Sequence, residues 1–134
     1  MRLSSAVMFV SDLDRSVAFY EELLQLEATV RDTTAALLVG ADHYQLYLRG
    51  MGQRASHALG SVGIQYLIWS ADDLDDLGRC EEVLRRQSPH VTRQHVDGLD
   101  IVEGPGPDRV PIMIVHPGPD QLPRDRIIPR LYSW

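Results

Sequence analysis

Five histidines are the side chains in this sequence best suited to bind a metal or transfer a proton: His43, His57, His90, His95 and His116. His90 and His95 are five residues apart, so their side chains point to opposite faces of a regular strand. His43 and His57 fall in a turn and a linker, and His116 ends a predicted strand. The pattern favours surface or capping histidines over a metal site or a general base.

The other reactive groups also have structural explanations. Cys80 lies on an apolar helical stripe and is expected to be a small buried residue rather than a nucleophile. The segment 104–107 is Gly-rich but lacks the Gly-Lys-Ser/Thr of a phosphate loop, and no Gly-x-Ser-x-Gly elbow occurs. Catalytic residues therefore stay unknown. The paired aspartates are expected to stabilise helix starts; they are Asp12, Asp14, Asp72, Asp73 and Asp75.

The first half of the chain predicts a strand, a helix and three further strands. Ser11 is the expected N-cap of the helix. The helical stripe is formed by Leu13, Val17, Tyr20 and Leu24, at spacings of four, three and four. The predicted strands are Leu3–Val10, Glu27–Arg31, Ala35–Val39 and Tyr44–Arg49.

The second half repeats this order. Asp12-Leu13-Asp14 recurs 61 positions later as Asp73-Leu74-Asp75, and Asp97-Gly98 is a strong hairpin signal. The helix stripe is Leu74, Leu77, Cys80 and Leu84, and the predicted strands are Gly63–Ser70, His90–Val96, Leu99–Glu103 and Val110–His116. We expect an α+β fold in which two tandem β-α-β-β-β units form a curved mixed sheet around a cleft. The expected division of the single domain 1–134 is unit one 1–50, linker 51–61, unit two 62–117 and a tail 118–134.

The charge and composition of the chain limit the classes of partner that it is expected to bind. The net charge is −6 and all thirteen basic residues are arginine, so we expect no nucleic-acid or membrane partner. The acidic balance is compatible with a cationic ligand. The single cysteine rules out an internal disulfide and fits a cytoplasmic protein.

The segment VMFVSDLDRSVAFYEELL (7–24) resembles the opening of the vicinal oxygen chelate superfamily, which includes glyoxalase I, extradiol dioxygenases and bleomycin-resistance proteins. IQYLIWSADDLDDL (64–77) is a looser copy, and GPDRVPIMIVHP (106–117) resembles the family's final turn and strand. The resemblance covers roughly residues 1–117. It implies the fold given above and a small-molecule ligand.

Metal-dependent members of that family hold an ion with four inward side chains. The resemblance places these positions at Ser5, Tyr66, Met113 and either Tyr47 or Gln45. Zn, Ni, Mn and Fe need imidazole or carboxylate ligands, which this set does not supply. We therefore expect no metal and no other cofactor.

Strand parity puts alternate residues on one face, which is mostly apolar and aromatic with a few polar tips, as in small-molecule pockets. Val7, Ser70, Pro111 and Val115 share this face. A filled core without a cavity is the alternative. The predicted ligand-binding residues are Ser5, Phe9, Gln45, Tyr47, Arg49, Tyr66, Ile68 and Met113.

The tail 118–134 carries much apolar surface, including Ile127 and Trp134. It is expected to dock at the cleft mouth or on a partner subunit, or else on its own domain. A homodimer is expected. Three functions remain open: a metal-free protein that binds a small aromatic or cationic molecule, a lyase, isomerase or dioxygenase of the same fold, and a non-catalytic interaction module.

Overall fold

The structure is a computed structural model that describes residues 4–53, residues 64–122 and Ile127. The chain divides into two compact units, Met1–Ala58 and Leu59–Trp134. Each unit has its own sheet and helix. Within the described residues, neither helix is long and apolar enough to cross a membrane.

Unit one has the predicted β-α-β-β-β order. Its elements are β1 (Ser5–Val10), α1 (Leu13–Leu24), β2 (Glu27–Arg31), β3 (Ala35–Val39) and β4 (Gln45–Gly50). The strand order is β1-β4-β3-β2, with β1 and β4 parallel and the other neighbours antiparallel. The fourth strand begins at Gln45 rather than Tyr44 and ends one residue later than predicted, at Gly50, which is the last residue of the predicted unit one.

Helix α1 begins one residue later than the predicted cap implies. Asp12, not Ser11, is the N-cap: it has extended backbone angles, and its carboxylate accepts a hydrogen bond from the backbone N of Arg15 at 3.0 Å. A carboxylate also suits the positive end of the helix dipole, which explains why it is preferred over the neighbouring hydroxyl. Gln25, in the left-handed conformation, ends the helix.

The apolar stripe of α1 covers one face of the unit-one sheet. Val17, Tyr20 and Leu23 are at most 1% exposed, as are Leu38 and Leu46 on the strands. Side chains alternate along a strand, so the residues between the buried ones point to the other face. The helix therefore leaves that second face uncovered.

Unit two repeats the arrangement. Its elements are β5 (Ile68–Ser70), α2 (Leu74–Gln87), β6 (Thr92–Val96), β7 (Leu99–Pro105), a 3-10 turn (Pro107–Arg109) and β8 (Pro111–His116). The order is β5-β8-β7-β6, with β5 and β8 parallel. The first strand is shorter than predicted: residues 64–67 are not in a strand, and Gly63 lies outside the described residues.

Helix α2 is capped by Asp73, whose side chain accepts from the backbone N of Asp76. Leu77, Cys80 and Leu84 are buried as predicted, but Leu74 is 50% exposed. The prediction of Leu74 as a core residue was therefore wrong. Leu74 lies in the first turn of the helix between acidic residues that are also exposed to solvent.

The turn between β6 and β7 is the predicted two-residue hairpin. Asp97 has φ 50° and Gly98 has φ 84°, so both central residues are left-handed, as a type I′ turn requires. The predicted tandem β-α-β-β-β fold is confirmed, as two four-stranded mixed sheets with one helix each.

Candidate functional site

The uncovered face of the unit-one sheet, here called the open face, is built from three rows of side chains. The cross-strand register sets each row, because directly paired residues project to the same side. The rows are Ser5, Gln45, Val39 and Glu27; then Val7, Tyr47, Leu37 and Val30; then Phe9, Arg49 and Ala35.

The open face combines apolar and aromatic groups with high exposure. Val7 is 67% exposed, Phe9 61% and Tyr47 39%, whereas Leu46 and Leu48 on the other side of the same sheet are at most 1% exposed. A contiguous apolar surface of this kind usually marks a binding surface, because leaving it in water is unfavourable. The open face is therefore the part of unit one best suited to hold a ligand.

Polar groups on the open face provide directional contacts. The hydroxyl of Tyr47 donates to the side-chain oxygen of Gln45 at 3.2 Å, so the two polar groups lie side by side. Ser5 is register-paired with Gln45, and Arg49 is register-paired with Phe9. Five of the predicted site residues thus lie on this one face, on strands β1 and β4.

The remaining three predicted site residues lie on the equivalent face of unit two. Ile68 pairs with Met113 in the register of β5 and β8. Tyr66 precedes β5 rather than lying within it, but it packs against the cluster that contains Met113. The structure therefore groups the eight residues as five on unit one and three on unit two.

Part of the equivalent face of unit two is filled by its own chain, although Ile68 on this face is 37% exposed. Ile127, which is 5% exposed, forms one buried cluster with Leu99, Ile101, Met113 and Val115, and Leu122 packs against it. At Ile127 the tail therefore packs on its own unit. Around Ile127, the face of unit two is therefore a filled core rather than an open pocket. A filled core was the alternative considered from the sequence.

Glu103 is a residue on this face that the sequence reasoning missed. It is 8% exposed and pairs directly with Met113 across β7 and β8. The strand pattern could have indicated its burial. Leu99 and Ile101 lie four and two residues before it, on the same side of the strand, and both are buried. A charged residue at the third position of such a series is unusual, because burying a charge is costly.

The register also resolves which unit-one residue corresponds to Met113. Val7 pairs with Tyr47 in unit one, and Ile68, 61 positions after Val7, pairs with Met113 in unit two. Tyr47, rather than Gln45, is therefore the counterpart of Met113.

The four positions that the resemblance assigns to metal ligands carry two phenols, a hydroxyl and a thioether, from Ser5, Tyr47, Tyr66 and Met113. Divalent transition ions take imidazole, carboxylate or thiolate ligands, so this donor set does not fit such an ion. In the part of the chain that the structure describes, no three His, Cys, Asp or Glu side chains gather in a way that could hold a metal.

The described histidines occupy positions with structural explanations. His43 and His90 are exposed, and His95 is paired with Asp100 at 3.2 Å across the β6–β7 hairpin. A ring nitrogen of His116, Nδ1, lies 3.3 Å from the carbonyl oxygen of Ala71. The predicted surface position is confirmed for His43, His90 and His95, whereas His116 is half-buried, and His57 lies outside the described residues.

Comparison with known proteins identifies the family. Residues 2–107 match the model of the Glyoxalase/Bleomycin resistance protein/Dioxygenase superfamily. The chain belongs to this superfamily, as the resemblance in its opening segment implied. No curated protein sequence matches the chain.

Solved structures show the same fold. A glyoxylase/bleomycin resistance protein/dioxygenase domain from Frankia sp. EAN1pec is 23% identical, with a TM-score of 0.73 over 86% of this chain and 96% of that one. A glyoxalase/dioxygenase from Nostoc punctiforme is 18% identical, with a TM-score of 0.66 over 85% and 89%. Lactoylglutathione lyase from Agrobacterium tumefaciens is 17% identical, with a TM-score of 0.60 over 85% and 92%. At these identities the similarity establishes the fold and not the activity.

Proposed function

We propose that this chain is a metal-independent binding protein for a small aromatic molecule, and that the open face of unit one is its binding surface. The observation that carries the proposal is the exposure of Phe9 and Tyr47 beside the polar groups of Gln45 and Arg49 on one sheet face. Small-molecule sites commonly combine aromatic walls with a few polar groups that set orientation.

The chemistry of the donor set supports metal independence. Neither the open face nor the equivalent face of unit two offers the imidazole or carboxylate groups at the positions that family members use. A lyase or dioxygenase mechanism that needs such an ion is therefore a weaker candidate. Metal analysis of protein purified without chelator tests this point, and near-stoichiometric Zn, Ni, Mn or Fe that is lost on changing Tyr47 or Met113 would contradict it.

Ligand binding is tested first by thermal shift with a panel of neutral, cationic and anionic one-ring and two-ring aromatic compounds. A compound at 100 times its dissociation constant stabilises the folded state by about 2.7 kcal/mol. Phe9→Ala is expected to weaken binding by up to about tenfold, because an aromatic contact contributes roughly 0.5–1.5 kcal/mol. Isothermal titration with the compound that gives the largest thermal shift measures the dissociation constants of the wild type and of Phe9→Ala.

Leu74→Ala is the matched control, because Leu74 is a similarly exposed apolar residue that belongs to α2 of unit two and not to the open face. It should leave the dissociation constant unchanged. Absence of binding across the panel, or an equal loss in the two variants, would show that the open face is not a ligand site.

A further inference from the structure

We propose that the open face selects aromatic carboxylates and that Arg49 binds the carboxylate group. The inference rests on the proposed function and adds the chemical class of the ligand. It is carried by the position of Arg49, whose side chain shares a row with Phe9 and is exposed.

Arg49 has no ion-pair partner among the described side chains. The other charged residue on the open face, Glu27, is in a different row on the outer strand β2, four residues away along the strand direction. That separation is roughly 13 Å, which exceeds the Debye length of about 8 Å at physiological ionic strength. The guanidinium of Arg49 therefore remains available for an external anion.

Asp32, in the turn between β2 and β3, is held by hydrogen bonds within that turn. One carboxylate oxygen of Asp32 accepts hydrogen bonds from Thr34 N at 2.6 Å, Thr34 Oγ1 at 2.9 Å and Ala35 N at 2.9 Å. These bonds hold the carboxylate in its own turn and lower the pKa of Asp32. Asp32 thus stabilises the β2–β3 connection rather than neutralising the open face.

The spacing of the rows suits a ring with a carboxylate at one end. A guanidinium presents a planar fork that pairs with a carboxylate through two parallel hydrogen bonds, and Phe9 on the neighbouring strand, about 4.8 Å away, offers its ring to the aromatic part. Tyr47 is two residues from Arg49, so the next row is about 7 Å away along the strand. Its hydroxyl and the Gln45 amide then lie near the opposite end of a one-ring ligand.

The negative net charge alone would favour a cation, but among the described residues no accessible carboxylate shares a row of the open face with Phe9 or Tyr47. Glu103 is 8% exposed, and it lies on the face of unit two that Ile127 packs against. Local charge decides recognition at contact distance, because more distant surface charges are screened. The local charge on the open face next to Phe9 is positive.

The test compares 4-hydroxybenzoate with 4-hydroxybenzamide, which has the same shape but no charge, by isothermal titration. The wild-type chain is expected to bind the carboxylate at least about tenfold more tightly than the amide, as charge-assisted hydrogen bonds allow. Arg49→Gln should abolish that preference while keeping the weak binding of the amide. Added salt should weaken 4-hydroxybenzoate binding to the wild type and have little effect on the variant.

Arg109→Gln is the matched control: it makes the same change of charge at an exposed arginine of unit two. Arg49→Lys keeps the charge without the planar fork and should give an intermediate affinity. Equal affinity for the acid and the amide, no binding of 4-hydroxybenzoate, or equal losses in the Arg49 and Arg109 variants would overturn the proposal. If neutral aromatic compounds still bound in a Phe9-dependent way, the proposed function would stand and only the carboxylate class would fail.

Discussion

Cys80 lies on the buried side of α2, and its surroundings determine how its thiol behaves. Burial raises the pKa of this thiol to about 11. The Arg79 guanidinium lowers the pKa in part, and the Asp76 carboxylate raises it by a smaller amount. At neutral pH the thiol is therefore protonated as well as buried. This agrees with its expected role as a small core residue, because the thiolate is the reactive form of cysteine.

The raised pKa of Cys80 gives a prediction about pH. Between pH 9 and about 11 the thiol ionises in the unfolded chain but stays protonated in the folded one. The unfolded state then binds fewer protons, so the contribution of this residue to the free energy of unfolding falls as the pH rises. Urea titrations of the wild type and Cys80→Ala at pH 8, 9, 10 and 11 measure this contribution as the difference between the two proteins. A difference that does not change with pH would contradict the raised pKa.

Single residues show what sequence reasoning could and could not establish. The burial of Cys80 followed from the helical period, because the period fixes which face a residue occupies. The same period placed Leu74 in the core, yet it is exposed, because a stripe does not show where a helix first meets its sheet. The burial of Glu103 was not predicted, because a charged side chain is rarely buried, although it follows the buried Leu99 and Ile101 at alternate positions of the same strand.

At the scale of the helix, the start of α1 depends on one carboxylate. Asp12→Ala removes the hydrogen bond from the backbone N of Arg15. It also removes a negative charge that interacts favourably with the positive end of the helix dipole. We expect the free energy of unfolding to fall by about 1 kcal/mol. Chemical denaturation measures the change.

Asp42→Ala is the control for that cap, because Asp42 is an exposed aspartate in the turn between β3 and β4. Its effect is expected to stay within about 0.5 kcal/mol. If the two variants lost the same stability, the cap would not be the cause.

Element boundaries were predicted best where turn chemistry is strict. The Asp97-Gly98 hairpin was predicted because few residue pairs tolerate two left-handed conformations in succession. The pairing of Val7 with Tyr47 could not be predicted from the sequence. A shift of two residues in the register between β1 and β4 leaves every side chain on the same face. For that reason Tyr47 and Gln45 were equivalent until the register was known.

At the scale of the whole molecule, the two repeats treat the same sheet face differently. Unit one leaves its face in water, whereas unit two buries the part of its own face that packs against Ile127. The sequence indicated that the apolar tail docks somewhere, but it did not show where, because a few apolar residues fit many surfaces. The predicted cleft and homodimer remain predictions.

Ile127→Ala tests the packing of the tail on unit two. The change leaves a cavity beside Leu99, Ile101, Met113 and Val115, and it is expected to lower the free energy of unfolding by about 2–5 kcal/mol. Ile64→Ala is the control, because Ile64 is the same residue type at 81% exposure. An effect of Ile127→Ala no larger than that of the control would show that the contact contributes little in solution.

The strand order has a consequence for self-association. Strands β2 and β6 each lie at an outer edge of a sheet, where free backbone groups invite another strand to add. Exposed Glu27 and Arg31 flank a bulge in β2, and β6 presents Thr92, Arg93, Gln94 and His95 to solvent. Charged and bulged edges resist fibril-like growth. These two borders are thereby protected against amyloid-type aggregation, even though an apolar surface is exposed on the face beside one of them.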